Sequence, residues 1–205
     1  MRAYYYDNLP GHPRLPHDSQ RPVPLETLTK LNVLYWHVPV DSPDGWRKSI
    51  DKLSAENDFR QNDTIDVTRD GLGDEYDEIL REFFDEHLHE DDEIRYVVEG
   101  AGYYDVREHP TDEWIRVVLN PGDLIAIPKG VYHRFMLDEQ DRIYGLRLWR
   151  DVPNWTPVPR SDASDRNTHR IQYLENLKKA GISAPSPEGW ISWAGSAISR
   201  AIFWQ

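Results

Sequence analysis

Three histidines and a glutamate, His87, His89, Glu93 and His133, are the residues of this chain best suited to chemistry. Imidazole nitrogens and a carboxylate are donors for a divalent transition metal. Four of them would still leave an octahedral ion two open positions, enough for a reaction rather than a purely structural role. The first three fall in the string His87-Leu-His-Glu-Asp-Asp-Glu93, directly ahead of the apolar run Ile94 to Val98. Residues two apart in an extended chain share a face, so His87 and His89 can grip one ion from one strand. Glu93 follows a short acidic turn and can close onto the same ion. His133 must arrive on a different strand brought alongside.

Glycines and prolines frame these donors. Gly100 and Gly102 suit a tight turn between strands, and Pro121-Gly122-Asp123 reads as another. Pro128-Lys129-Gly130 is a turn that aims the next strand, and with it His133, back at the first pair. A bare His-x-His is weak evidence, because polar surfaces produce it often. The ordered set of ligand pair, glutamate, glycines, Pro-x-Gly and distal histidine is far more specific, and it resembles the two-part signature of the cupin superfamily. One position departs from that pattern: Leu137 stands four residues after the distal histidine, where Asn is common. It is not a ligand position.

The elements that must carry these residues follow from periodicity. Residues 3 to 6 read as an opening strand, followed by a Pro-rich polar connection to about Pro24. Leu25, Leu28 and Leu31 predict a short helix over about 24 to 31, and Val33 to Val38 a strand. Asp41-Ser42-Pro43 looks like a cap for a polar helix over 42 to 56. Ile65 to Thr68 is a short strand. Ile79, Leu80, Phe83 and Phe84 mark a helix face that delivers the chain to His87. Six strands are then expected at 93–98, 102–107, 114–119, 123–127, 132–137 and 143–149, with turn chemistry and no helix between them. The fold class is therefore mainly β, a jelly-roll antiparallel β-barrel with a few peripheral α-helices. A helix over 165 to 178 follows a Pro-rich stretch. The expected organisation is one domain over 1–180 with its metal-binding core at about 86–149, and a C-terminal extension over 181–205.

Composition narrows the function classes. A chain of 205 residues suits one domain with a sizeable core. A net charge of −12 argues against nucleic-acid backbones and anionic membranes as partners. Eleven acidic residues and one basic residue lie between Asp74 and Glu93. The run reads mainly as a solvated helix face and turn, and secondly as a negative field that attracts a cation. The absence of cysteine excludes thiolate metal sites and a cysteine nucleophile, and it suits a reducing compartment. The N-terminus lacks the layout of a signal peptide and no apolar run has the length of a membrane span. The expected location is the cytoplasm, with the nucleus as a second site, and the expected state is a monomer.

Around the donors, Arg95 lies two residues after Glu93 on the same face. It is the candidate catalytic cation, set against the reading of an ordinary salt bridge to the acidic run. Arg147 and Phe135 are candidates for substrate binding, Phe135 as a wall two residues after His133. His12, His17, His37, His109 and His169 have no partner at ligand spacing and read as structural or exposed. Trp190, Trp193, Ile198, Ile202, Phe203 and Trp204 are expected to cover apolar surface on the barrel, with partner binding as the lesser alternative.

Several stretches resemble the acireductone dioxygenase family, in its eukaryotic branch. They are Glu86-His-Leu-His-Glu-Asp-Asp-Glu-Ile-Arg-Tyr96, Gly102-Tyr-Tyr-Asp-Val-Arg107, Trp114-Ile-Arg116 and Gly130-Val-Tyr-His-Arg-Phe135. Tyr5-Tyr6-Asp7, Leu34-Tyr35-Trp36, Arg147-Leu148 and Trp155-Thr156 join them, so the resemblance spans about residues 1 to 178 and leaves out the tail. It implies a methionine-salvage enzyme that takes 1,2-dihydroxy-5-(methylthio)pent-1-en-3-one and dioxygen. It also implies one iron(II) or nickel(II) per monomer, held by His87, His89, Glu93 and His133. With iron the implied products are formate and 4-methylthio-2-oxobutanoate; with nickel they are formate, carbon monoxide and 3-(methylthio)propanoate. Two alternatives stay open: a cupin that has lost catalysis and serves as a regulatory binding protein, and a different metal cupin oxidase.

Overall fold

The pattern of apolar alternation along the middle of the chain folds into two facing antiparallel sheets. The structure, a computed structural model, describes residues 1–41, 45–151 and 154–183. Ser42 and Pro43 of the expected helix cap, and the Trp-bearing tail from 184 onward, lie outside the described residues.

The chain opens with β1 (Arg2–Tyr6) and β2 (Asp18–Pro22), then α1 (Leu25–Lys30) and β3 (Leu34–His37). Next come α2 (Gly45–Glu56), β4 (Gln61–Val67), the short α3 (Arg69–Leu72) and α4 (Tyr76–Phe84), which leads into β5 (His87–Leu88). Six strands follow with no α-helix among them: β6 (Glu93–Gly100), β7 (Gly102–Arg107), β8 (Trp114–Leu119), β9 (Asp123–Ile127), β10 (His133–Leu137) and β11 (Ile143–Trp149). The expected boundaries of these six hold to within two residues. β12 (Val158–Pro159) and α5 (Thr168–Lys179) close the described fold.

One sheet has the order β12-β5-β10-β7-β8-β1-β2 and the other β3-β9-β6-β11-β4. The mainly β jelly-roll class is as expected. The two sheets face one another and keep their own edge strands, so they form a sandwich rather than one closed barrel. β2 occupies what reads as a Pro-rich connection. It is an edge strand, Asp-Ser-Gln-Arg-Pro, with no buried residue and with Gln20, Arg21 and Pro22 exposed, so it carries no apolar alternation to announce it. β4 likewise begins at Gln61, four residues before the first apolar residue Ile65. Its polar start pairs with the far end of β11, Gln61 opposite Trp149.

The core sits between the sheets. Val106, Ile115 and Val117 from one meet Val97, Ile125 and Ile127 from the other, with Leu28 of α1 and Tyr173 and Leu177 of α5 at the rim. A second apolar layer lies outside the five-stranded sheet, where Trp46 and Ile50 of α2 cover Ile94, Tyr96, Leu124 and Leu148. β9 is covered on both faces, which explains its unbroken Leu-Ile-Ala-Ile run. Each such Leu or Ile contributes about 1.5–3 kcal/mol of burial free energy.

α5 bears on the site from behind. Asn167 caps its N-terminus by accepting from the His169 amide at 2.8 Å. Arg170 then donates to the Gly130 carbonyl at 3.1 Å, in the turn that launches β10. Gly130 has φ +82°, and a Cβ there would lie 2.4 Å from the His169 carbonyl oxygen. Only glycine satisfies both demands.

Candidate metal centre

Asp85 leaves helical geometry at φ −66°, ψ 135° and ends α4, so the chain enters β5 extended. His87 then stands directly opposite His133 where β5 pairs with β10. His89 follows just past the strand. Glu93 opens β6, in the other sheet. The four donors therefore come from three chain segments in two sheets, not from two neighbouring strands. The facing of the sheets, which sequence spacing does not reveal, closes the cluster.

One nitrogen from each of His87, His89 and His133 lies within 4.8 Å of the others. Backbone carbonyls orient two of the rings. His87 Nδ1 is 2.7 Å from the Asp85 oxygen and His133 Nδ1 is 3.0 Å from the Val131 oxygen. A carbonyl only accepts, so Nδ1 carries the proton in both rings and Nε2 is left to face inward. His89 turns its Nε2 toward Glu93 Oε2, at 3.7 Å. Its Nδ1 is buried without a well-formed hydrogen bond; the nearby Thr156 carbonyl favours its protonation only weakly.

The electrostatics suit a cation. Burial, helped by the neighbouring His133, pushes the His87 imidazole down to about 4. Burial also lowers His89. For Glu93, burial by itself would raise the carboxyl, but Arg95 foremost and then His133 hold it well below the usual carboxylate range. His87 and His89 thus offer imidazole lone pairs and Glu93 a carboxylate, the protonation states metal binding requires.

His133 supplies the test of fit. Its Nδ1 faces the Val131 carbonyl, and its Nε2 lies 2.8 Å from Glu93 Oε2. A neutral imidazole has one N–H and cannot donate to both. The second contact calls for a positive charge, either a second proton or a metal ion. Donors at right angles on an ion about 2.1 Å away stand about 3.0 Å apart, and on opposite sides about 4.2 Å. The 2.8 Å pair is close to the former; histidine nitrogens within 4.8 Å of one another need to draw in by up to roughly 0.6 Å if opposite and up to roughly 1.8 Å if at right angles. The residues fit a divalent metal.

A cavity of about 220 Å³ opens beside the donors. The histidines, Glu93, Arg95 and Arg147 line its polar side. Phe83, Val97, Leu119, Phe135 and Ile143 line its apolar side. Arg95 contacts Glu93 Oε1 at 3.0 Å, so the expected salt bridge and the expected place beside the donors coincide. Arg147 lines the cavity too, but its guanidinium is engaged by Asp63 at 2.5 and 2.8 Å. Phe135 forms the wall against Phe83 and Tyr104, with ring centroids at 6.1 and 5.0 Å.

Two lining residues escaped the sequence reading. Tyr104 donates to Glu93 Oε1 at 2.6 Å and is buried. Its place opposite Phe135 in the β7–β10 pairing would have identified it, but register is a tertiary fact. Trp155 reads as part of a Pro-rich connection, yet its ring receives the guanidiniums of Arg95 and Arg147 at 4.8 and 5.3 Å.

Comparison with known proteins agrees with this geometry. The ARD/ARD' family model matches residues 2–157. Acireductone dioxygenase 1 of Coprinopsis cinerea is 52% identical over 177 residues, covering 86% of this chain and 98% of that protein. Acireductone dioxygenase 2 of the same organism is 46% identical and covers 97% of this chain, a match that takes in most of the residues after 180. Among solved structures, the acireductone dioxygenase from Bacillus anthracis with a cadmium ion in its active centre aligns at TM-score 0.57 and 25% identity. That alignment covers 65% of this chain and 86% of that one. With the family model spanning most of its length and relatives this similar, the chain belongs to the ARD/ARD' family, the acireductone dioxygenases.

Proposed function

We propose that the chain is a metal-dependent dioxygenase of methionine salvage that cleaves 1,2-dihydroxy-5-(methylthio)pent-1-en-3-one with dioxygen. The observation that carries this reading is the convergence of His87, His89, His133 and Glu93 on the polar side of a cavity whose other side is apolar. These four residues would hold one divalent ion per chain, iron(II) or nickel(II). When bound, that ion supplies a Lewis acid and a template for the enediolate end of the substrate.

The chain's own residues do the rest. Arg95, 16% exposed, holds Glu93 in its ionised form and adds positive charge where an anionic substrate docks. Phe135, Phe83 and Leu119 accept the methylthio end and keep water from it. Arg147 closes the polar rim. With iron(II) the products are 4-methylthio-2-oxobutanoate and formate; with nickel(II) they are 3-(methylthio)propanoate, carbon monoxide and formate. The lack of cysteine supports a reducing compartment, the cytoplasm first and the nucleus second. Among the described residues no helix is long and apolar enough to cross a membrane.

The test is oxygen uptake with acireductone by protein loaded anaerobically with iron(II), followed by carbon monoxide detection after loading with nickel(II). Absence of uptake by both metal-loaded forms would sink the reading and leave a non-catalytic binding protein. Elemental analysis of protein from its natural host decides which metal it carries.

A further inference from the structure

Glu93 is held asymmetrically. Its Oε1 accepts from Tyr104 Oη at 2.6 Å and lies 3.0 Å from an Arg95 nitrogen. Its Oε2 faces the histidines, 2.8 Å from His133 Nε2 and 3.7 Å from His89 Nε2. A free carboxylate is a symmetric group that can ligate a metal through one oxygen or through both. Here the two oxygens have different partners.

We propose that Tyr104 is a positioning residue that, together with Arg95, locks Glu93 as a one-oxygen ligand through Oε2. Three observations bear on it. Tyr104 is 4% exposed and its hydroxyl is directed at Glu93. The ring cannot swing away, because Phe135 packs against it at 5.0 Å and His133 lies 6.3 Å from its centroid. Arg95 reaches the same oxygen from β6, through a guanidinium also anchored to the Ile94 carbonyl at 3.0 Å. An Oε1 that accepts from a hydroxyl and a guanidinium is a poor second donor to a metal, so a coordination position stays free for substrate. Tyr104 lines the cavity, but its hydroxyl is committed to Glu93, and it acts on the donor set through that carboxylate.

The inference rests on Glu93 being a ligand, so the experiment separates the two claims. Cobalt(II) is titrated anaerobically into the full chain, with affinity read by competition and coordination number by visible absorption. Tyr104→Phe is compared with wild type, Glu93→Ala and Tyr103→Phe, the last removing a hydroxyl from the other face of the same strand. Tyr104→Phe is expected to weaken cobalt binding by about 10–100-fold, as loss of a group orienting a ligand does. It should also shift the absorption bands, while Tyr103→Phe leaves both unchanged. If Glu93→Ala binds cobalt as wild type does, the ligand reading itself is wrong and this inference goes with it. If Glu93→Ala weakens binding but Tyr104→Phe, folded by circular dichroism, matches wild type in affinity and spectrum, only the positioning role is overturned. Failure of the tyrosine variant to fold is countered by Arg95→Lys, which keeps the charge but loses the fork. An unchanged spectrum there also overturns the shared lock.

Discussion

Arg95 and Arg147 stand directly opposite one another where β6 pairs with β11, and the Trp155 ring serves both guanidiniums. Like charges in that position repel. The repulsion is relieved because each has its own carboxylate, Glu93 for Arg95 and Asp63 for Arg147. The two arginines therefore have different duties. Arg95→Met should lower metal affinity, since it frees Glu93. Arg147→Met should raise KM with a smaller effect on kcat and leave metal affinity unchanged. Metal titration beside steady-state kinetics separates them. Asp63→Asn should cost less than about 1 kcal/mol of stability, because that pair is partly exposed.

His133 joins the two sheets at the donor cluster, so its removal should uncouple metal binding from stability. In wild type, metal at a hundred times its dissociation constant should raise unfolding free energy by about 2.7 kcal/mol. His133→Ala should reduce bound metal at least about tenfold and abolish most of that gain. Urea unfolding with and without metal checks both; an equal gain in the variant would exclude His133 from the site.

Gly145 of β11 leaves no room for a side chain against β6. A Cβ there would lie 2.1 Å from the Tyr96 carbonyl oxygen, and the pairing register shifts at this residue. Gly145→Ala should destabilise by about 1–3 kcal/mol through forced strand separation. It should also raise KM, because Arg147, two residues on, is displaced from the cavity rim. A variant with unchanged urea midpoint would contradict the close approach.

Glu86 ties β5 to its surroundings through Arg107 and Arg160. Burial opposes its ionisation, but these two arginines outweigh it and hold the carboxyl below its usual value of 4.5. A folded value below the unfolded one means the contribution is fully present above about pH 4.5 and is lost as pH falls through the folded value. The urea midpoint of metal-free protein should therefore carry the Glu86 contribution above about pH 4.5 and lose it as pH is lowered further. Glu86→Gln should be less stable at the upper end and show a flatter decline. A parallel decline in both proteins would rule out this carboxylate as a contributor.

Much of this was legible in the chain itself. Apolar alternation and the glycine and proline turns mark the six strands from β6 to β11, because a half-buried strand must alternate and a tight turn needs residues that tolerate it. The His87-Leu-His89 pair, Glu93 and His133 declare a donor set by type and spacing, since few other arrangements require those residues together. What spacing could not decide is which strands become neighbours. β2 carries no alternation because neither of its faces is buried. Tyr104 and Trp155 are ordinary aromatics until pairing sets one opposite Phe135 and a loop returns the other to the arginines. The division of Glu93 into one oxygen held by Tyr104 and Arg95 and one facing the histidines belongs wholly to the tertiary structure. A side chain's partners on another sheet depend on register and sheet packing, and these are set by the whole core at once rather than by any local run of residues.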